Sequence, residues 1–423
     1  MSKTRIQILS IACLLMLAGC GSGGSAAPAV ASNCVAGVEF CGAIPLSANA
    51  CTDSRYWPLV MHSGWRPLTV HYSRLADESK AAEIIGILEH AWTVQVDELA
   101  FSAPLDDKGS CGDDGRYDVF IWRGVDGAFV DAIGDNPQSP HDDYTTYMAI
   151  DTSGPYGRDL LDTTLAHEFN HALQASDDWW ESALIFEMSA TFVEALVYPL
   201  QEDYFFTIGD FQRHPEWSLF FDDNYRTWYM YGAAMYLHFL RERYFPADPG
   251  FIARIWQMSR SDPASGRPDF IDATRALLLA DRGLGLDETI IEFMQWRWFV
   301  AEFDDGAHFL NGANWPAAVS YLDIDAATPN IAIDLSLMTY GAGYLKINNG
   351  SLAGRQFTVG LQSNDTDIIW RLTTVHGNDV TNTLAVAPQS AVTLVATVLP
   401  GNPISAASLS FDMRAATLTL DRL

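Results

Sequence analysis

The stretch TLAHEFNHALQ, residues 164–174, places two histidines four positions apart, with a glutamate directly after the first. Apolar residues recur at helical spacing from Leu161 to Leu173, which predicts an amphipathic helix over about residues 158–176. On a helix, positions i and i+4 lie on the same face, so His167 and His171 can hold one metal ion together. The alternative is a helix that carries two structural histidines.

Zinc is the metal that this pattern favours, because neutral imidazole is a good zinc ligand. Glu168 is turned about 100° from His167 around the helix, so it can reach water at the metal without binding the metal. Zinc lowers the pKa of such a water to about 7, and the carboxylate can take its proton while the water attacks a carbonyl. The motif therefore predicts a hydrolytic site with one Zn2+ per chain and Glu168 as its catalytic base.

A third ligand is expected from the next predicted helix, ESALIFEMSATFVEALVY, at residues 181–198. If this helix returns antiparallel, a chain that runs roughly five or six residues beyond His171 reaches the level of the metal again near Glu187. Glu194 lies about 10 Å past that level. It is either the alternative ligand or a partner that orients a histidine. Glu181, at the turn itself, is the third alternative.

The elements around the motif predict an α+β domain over residues 56–325. Three runs have the composition or the alternation of strands: LTVHYS (68–73), RYDVFIW (116–122) and TTYMAID (145–151). A helical pattern covers residues 79–101, and further helical patterns follow the motif as far as Glu302. From about Ile331 the chain changes to short alternating runs separated by Gly, Asn and Pro. This change predicts a small all-β sandwich domain over residues 326–423.

The charge of the chain limits its partners. It has 53 acidic against 25 basic residues and a formal net charge of −28, and such a surface repels the phosphate backbone of nucleic acid. No nucleic-acid partner is therefore expected. Part of the acid comes as aspartate pairs in predicted loops, at positions 106–107, 113–114, 142–143 and 222–223. We interpret these pairs as a solvated surface. Structural Ca2+ is the alternative, although no run has the periodic oxygen-ligand spacing of a calcium loop.

The N-terminus has the pattern of an export signal. A positively charged start precedes an apolar run, Ile6–Ala18, that is too short to span a bilayer. The LAGC at residues 17–20 resembles the lipobox of bacterial lipoproteins. The resemblance implies a lipoprotein signal peptide at residues 1–19 and a lipid anchor on Cys20. It also implies attachment to a membrane, the outer one where the host has two, facing the periplasm or the cell surface.

Four cysteines remain after the signal and the anchor: Cys34, Cys41, Cys51 and Cys111. In an exported chain, four cysteines are expected to form two disulfides, and all three pairings are open. The stretch GSGGSAAPAVAS after Cys20 has the composition of a flexible tether. Residues 20–55 are therefore expected to form a tether and a disulfide-stapled N-terminal segment.

The motif and the helix after it resemble a known family. HEFNH followed by EMSATFVE, residues 187–194, is similar to the gluzincin branch of the zincin metallopeptidases, and in particular to bacterial exported metallopeptidases. The resemblance implies a zincin-like catalytic domain that acts on a peptide or protein substrate. It also implies that His167, His171 and Glu187 bind the zinc ion. Glu168 would serve as general base and acid.

A second resemblance concerns YMYGA, residues 229–233. Aminopeptidase-type gluzincins have a Tyr-x-x-Gly-Ala stretch whose tyrosine hydroxyl stabilises the tetrahedral oxyanion. This resemblance implies such a role for Tyr229, with Tyr231 as the next choice. The alternative is an aromatic helix in the core.

Two other interpretations stay open. Metzincin peptidases place their third ligand six residues after the second histidine, which is Asp177 here, but Gln174 replaces the glycine that lets their chain turn. The other interpretation is a non-catalytic surface binding lipoprotein on a zincin-like fold. The sequence indicates no oligomeric state.

Overall fold

A computed structural model describes eleven segments of the chain: residues 34–47, 50–112, 114–125, 127–154, 160–201, 204–319, 322–324, 330–347, 355–386, 392–405 and 408–423. The predicted signal peptide and the Cys20 anchor lie outside the described residues. The described residues form two compact units. The first comprises residues up to Glu181 together with 193–201 and 250–268, and the second comprises 182–192, 202–249 and 269–423.

The first unit is built on a five-stranded mixed sheet with the strand order β1-β2-β3-β5-β4. The strands are β1 (Leu59–His62), β2 (Leu68–Tyr72), β3 (Tyr117–Ile121), β4 (Ala128–Asp135) and β5 (Tyr144–Ile150). The three central strands run parallel, whereas the two edge strands are antiparallel to their neighbours. Every residue of β2 and β3 is buried, as expected for parallel strands covered on both faces.

Helix α2 (Leu161–Ala175) carries the motif and packs on this sheet. It lies against β4 and β5 and against helix α1 (Glu78–Trp92), which continues into a π-helical segment, Thr93–Glu98. The unit also contains helix α7 (Phe251–Met258). These elements confirm the α+β expectation and the predicted motif helix.

Helix α3 (Ala183–Val197) follows α2 after a short connection and supplies residues to both units. It ends two residues before Pro199, whose ring and missing N–H cannot continue a helix. The other helices of the second unit are α4 (Phe205–Arg213), α5 (Tyr229–Gly232), α6 (Ala234–Arg243), α8 (Phe270–Arg282) and α9 (Leu286–Trp296).

Two four-stranded sheets form the C-terminal part of the second unit, with the orders β10-β12-β8-β6 and β11-β9-β13-β7. The strands are β6 (Leu322–Ile324), β7 (Asn330–Leu337), β8 (Ala342–Ile347), β9 (Arg355–Gln362), β10 (Ile368–Thr374), β11 (Thr383–Val386), β12 (Val392–Pro400) and β13 (Arg414–Arg422). All pairs are antiparallel except that of β6 with β8. Leu345 and Leu394 of the first sheet share one hydrophobic core with Phe357 and Leu418 of the second. The predicted C-terminal all-β region is therefore confirmed.

Two disulfides are present, Cys34–Cys41 and Cys51–Cys111. The expectation that these four cysteines form disulfides is confirmed. Cys51 and Cys111 are buried in a core that also contains Trp57, whose indole N–H donates to the carbonyl of Ala50. Among the described residues, no helix combines the length and the hydropathy needed to cross a membrane.

Gly232 permits a close approach between α5 and α4. A Cβ at this position would lie against the carbonyl oxygen of Thr207 and 2.7 Å from the Cβ of Phe211. Since real Cβ atoms do not come this close to other heavy atoms, only glycine fits here.

We expect Gly232→Ala to lower the free energy of unfolding by about 1–3 kcal/mol, because the added methyl group overpacks the contact with α4. Gly86→Ala on α1 is the matched control. Its Cβ would meet no atom within 4 Å, so the change should stabilise by about 0.4–1 kcal/mol. Urea unfolding of both variants tests the pair, and equal effects of the two substitutions would contradict the packing explanation.

Candidate metal centre

His167, His171 and Glu187 form one buried group whose ligand atoms all lie within 4.8 Å of one another. The structure thus brings together the three residues expected as ligands. Among the described residues, no second group of three His, Cys, Asp or Glu side chains meets the same criterion. Two imidazole nitrogens and one carboxylate oxygen are a donor set that suits zinc, so these residues can hold a metal ion of this kind.

The spacing on α2 explains how the two histidines meet. They lie one turn apart on a buried face, with ring centroids 4.8 Å apart and ring planes at 89°. Glu187 comes from the second turn of α3 and is fully buried. A carboxylate buried this deeply needs a compensating charge or hydrogen bonds, and a divalent cation would supply that charge.

Glu194 orients the first histidine. Its Oε2 lies 3.0 Å from Nδ1 of His167, and an ionised carboxylate can only accept, so the ring donates from Nδ1. This bond leaves Nε2 of His167 as the nitrogen available to a metal. Histidine ligands commonly donate their second N–H to a carboxylate in this way. The geometry therefore gives Glu194 the orienting role that was one of its two expected roles.

Gln174 orients the second histidine. Its Oε1 lies 2.8 Å from Nδ1 of His171, and an amide oxygen can only accept. His171 therefore also donates from Nδ1 and keeps Nε2 for a metal. The sequence does not indicate this role, because glutamine is also an ordinary helix-forming residue at such a position.

Glu168 lies between the two histidines in sequence and is buried on α2. Burial raises the pKa of Tyr117 on β3 well above its usual range, and the negative charge of Glu168 adds to the effect. Glu168 is thus close enough to the sheet for its charge to act on β3. A buried carboxylate directly after one of these histidines could act as a general base at a metal site.

Asp177, the ligand of the alternative metzincin interpretation, is hydrogen-bonded to Arg260 and Ser102. Its Oδ1 accepts hydrogen bonds from Nε and Nη2 of Arg260, at 2.9 and 2.6 Å, and from the hydroxyl of Ser102 at 2.8 Å. Burial raises the pKa of Asp177, whereas the charge of Arg260 lowers it. Neither Asp177 nor Glu181 belongs to the His167–His171–Glu187 group. The geometry therefore favours Glu187 over both alternatives.

Asp222 holds the start of α3. The backbone N–H of Ala183, the first residue of that helix, donates to the Asp222 side chain. Burial raises the pKa of Asp222, and the negative charges of Asp223 and Glu187 raise it further. Acceptance of a free N–H at a helix N-terminus stabilises the helix there. Asp222 therefore fixes the turn of α3 that precedes Glu187, a role that no sequence pattern indicated.

Tyr229 is buried in the second unit, and its hydroxyl lies 2.8 Å from the Ser218 carbonyl oxygen and 3.2 Å from that of Trp217. A carbonyl oxygen only accepts, so the hydroxyl donates to this pair. Its role as an oxyanion donor stays a prediction, and that role requires the hydroxyl to leave these carbonyls. Tyr231, the next choice, packs edge-on against Trp228 at 5.1 Å.

The interpretation of the aspartate pairs as a solvated surface is wrong for Asp107, Asp142, Asp143 and Asp223, which are buried. Two of them act as loop caps. Asp107 accepts from the backbone N–H groups of Gly109 and Cys111, and Asp223 accepts from that of Thr227. Aspartate competes well for such N–H groups in turns, which explains its place in these loops. None of these aspartates forms a group of three potential ligands among the described residues, so the calcium alternative gains no support.

Comparison with known proteins does not assign the chain to a family. No protein-family model matches it, and no curated protein shows significant similarity to it.

Glu194 and Asp177, the two carboxylates that are alternatives to Glu187 as third ligand, should respond differently to substitution. We expect Glu194→Ala to weaken zinc binding about 10-fold or more, because His167 loses its acceptor. Asp177→Asn should leave zinc affinity unchanged, since Asp177 pairs with Arg260. Chelator competition measures both values. Loss of zinc from Asp177→Asn together with normal affinity in Glu194→Ala would contradict this arrangement.

Proposed function

We propose that this chain is a zinc-dependent peptidase. The observation that carries the proposal is the position of Glu168, a buried carboxylate directly beside a ligand of the buried His167–His171–Glu187 group. A purely structural metal site has no use for a carboxylate next to its ligands, whereas hydrolysis needs a base there. The gluzincin resemblance of HEFNH and EMSATFVE agrees with this proposal.

Each residue of the proposed site would have a separate role in hydrolysis. His167, His171 and Glu187 would hold the zinc ion, which supplies Lewis acidity and makes water a nucleophile at neutral pH. Glu168 would accept a proton from the attacking water as the new C–O bond forms. It would then deliver that proton to the amide nitrogen as the C–N bond breaks. Glu194 and Gln174 keep both imidazoles in the tautomer that binds a metal.

The sheet beside α2 supports a peptide as the substrate. In the described sheet, β4 pairs on one side only, with β5, and α2 packs against both strands. An edge strand presents a row of backbone N–H and C=O groups that an extended peptide can pair with. Such pairing would bring a backbone carbonyl to the motif helix independently of side-chain sequence. A zincin-like fold is the finer description that we propose for this α+β unit.

The cellular setting in this proposal follows from the N-terminus. The lipobox resemblance implies a lipid anchor on Cys20, so the peptidase would act from a bacterial membrane surface, in the periplasm or outside the cell. The two disulfides agree with an exported protein, because cytosolic thiols are kept reduced.

Replacement of the base tests the function. In Glu168→Gln we expect hydrolysis of a broad peptide library to fall by about 10²- to 10⁴-fold, because the amide cannot accept the proton. Zinc content should stay at the wild-type level, since Glu168 is not a ligand. Glu83→Gln, on the exposed side of α1, is the control and should keep full activity.

Zinc-loaded wild-type protein that cleaves none of the library peptides would contradict the peptidase proposal. That outcome would favour the alternative, a surface binding lipoprotein that holds zinc without turnover.

A further inference from the structure

Three buried amide side chains connect His171 to a backbone carbonyl. Gln174 accepts from Nδ1 of His171 and donates from its own Nε2 to Oδ1 of Asn170, at 2.7 Å. Asn170 donates to Oε1 of Gln95 at 3.0 Å, and Gln95 donates to the carbonyl oxygen of Ala166 at 2.8 Å. All three amides are completely buried. We call Gln95, Asn170 and Gln174 the amide relay.

The hydrogen bond from Gln95 to Ala166 fixes the direction of donation along the amide relay. A backbone carbonyl oxygen can only accept, so Gln95 must turn its NH2 group towards Ala166 and its oxygen towards Asn170. Asn170 must then present its NH2 group to Gln95 and its oxygen to Gln174. The same rule makes Gln174 present its oxygen to His171. Nδ1 of His171 therefore carries the proton, and Nε2 keeps the lone pair that binds a metal.

Without the hydrogen bond to Ala166, donation along the amide relay could also run in the opposite direction. If all three amides rotate by 180°, each one still donates to and accepts from its neighbours within the relay. Gln174 would then present its NH2 group to His171, Nδ1 would accept, and Nε2 would carry the proton. A protonated Nε2 cannot bind a metal. The hydrogen bond from Gln95 to the Ala166 carbonyl opposes this reversal, because a reversed Gln95 would place its oxygen against that carbonyl oxygen.

We infer that Gln95 is a positioning residue for the metal site, because it sets the tautomer of His171 through the amide relay. This inference rests on the zinc site of the proposed function and extends it to a residue 75 positions from Asn170 in sequence. The side chain of Gln95 is hydrogen-bonded to Asn170 and to the carbonyl oxygen of Ala166, so its effect on His171 passes through Asn170 and Gln174.

The location of Gln95 supports a role beyond packing. It is the one buried residue of the π-helical segment Thr93–Glu98, whereas the neighbouring Val94 and Val96 are only half-buried. An amide loses its hydrogen bonds to water on burial, so an apolar side chain would suit a purely structural position better. Short π-helical segments often occur at functional sites. Here the segment directs Gln95 towards α2.

The test compares Gln95→Met with the wild type in the full chain, kept in detergent. Methionine has a similar length and favours helices, but it can neither donate to Ala166 nor accept from Asn170. We expect the Kd for zinc, measured by chelator competition, to rise about 10-fold. In the metal-free protein, the ¹⁵N chemical shifts of His171 should change from the Nδ1–H tautomer to a mixture of both tautomers.

A second variant and a control separate this role from a general loss of stability. Gln174→Met removes the direct contact with His171. The double variant should bind zinc about as weakly as Gln174→Met alone, because both substitutions act along one path. Ser176→Ala removes a buried side-chain bond to Ala172 near the end of the same helix and leaves the amide relay intact. It should leave both zinc affinity and the His171 tautomer unchanged.

The outcomes distinguish the inference from the function on which it rests. If the wild type binds zinc and Gln95→Met shows the same Kd and the same tautomer, the inference is overturned. If the wild type binds no zinc, the proposed function fails, and the tautomer in the metal-free protein still decides the role of Gln95.

Discussion

The burial of two histidines on one face of α2 is the constraint on which the rest of the site depends. Each nitrogen of a buried imidazole needs a hydrogen-bond partner or a metal. Here Glu194 accepts from Nδ1 of His167, and Gln174 accepts from Nδ1 of His171. Nε2 is then the nitrogen of each ring that can bind a shared metal ion, and the buried carboxylate of Glu187 lies in the same group. A divalent cation satisfies the nitrogens and the carboxylate together. Hydrogen bonding, charge and helical spacing thus favour the same occupant.

The two histidines have chemically different hydrogen-bond partners. His167 faces a carboxylate, whose charge makes the imidazole a stronger donor to a metal, whereas His171 faces a neutral amide. Both oxygens of a carboxylate accept hydrogen bonds, so Glu194 keeps the proton of His167 on Nδ1 in either orientation of the carboxylate. An amide has a donor end and an acceptor end, so Gln174 must itself be oriented. The need for a longer chain of buried amides follows from this difference.

Much of the site could be predicted from local sequence, because its central parts are local. The i, i+4 spacing on α2 placed the two histidines together, and the length of the connection to α3 placed Glu187 at their level. β2, β3 and β5 were also predictable, since buried parallel strands are rich in apolar and β-branched residues. The short alternating runs after Ile331 predicted the C-terminal sheets, because antiparallel strands with one buried face alternate apolar and polar residues.

The features that could not be predicted depend on contacts between residues distant in sequence, or on strands whose alternation is interrupted. Gln95 and Asp222 act through single hydrogen bonds to residues far along the chain, and no local pattern marks such bonds. β4 could not be predicted from alternation, because its register shifts between Ala132 and Gly134 and this irregularity interrupts the pattern of a strand. The burial of the loop aspartates could not be predicted, because composition alone does not show which backbone N–H groups they accept from.

The most direct measurement is a crystal structure of the zinc-loaded protein with anomalous data collected at the zinc absorption edge. We expect one strong anomalous peak, about 2.0–2.1 Å from Nε2 of both His167 and His171 and about 2.0–2.2 Å from an oxygen of Glu187. Glu168 should lie beside the ion without binding it. A peak at other side chains, or no peak at these three residues in protein that was offered zinc, would contradict the metal centre described above.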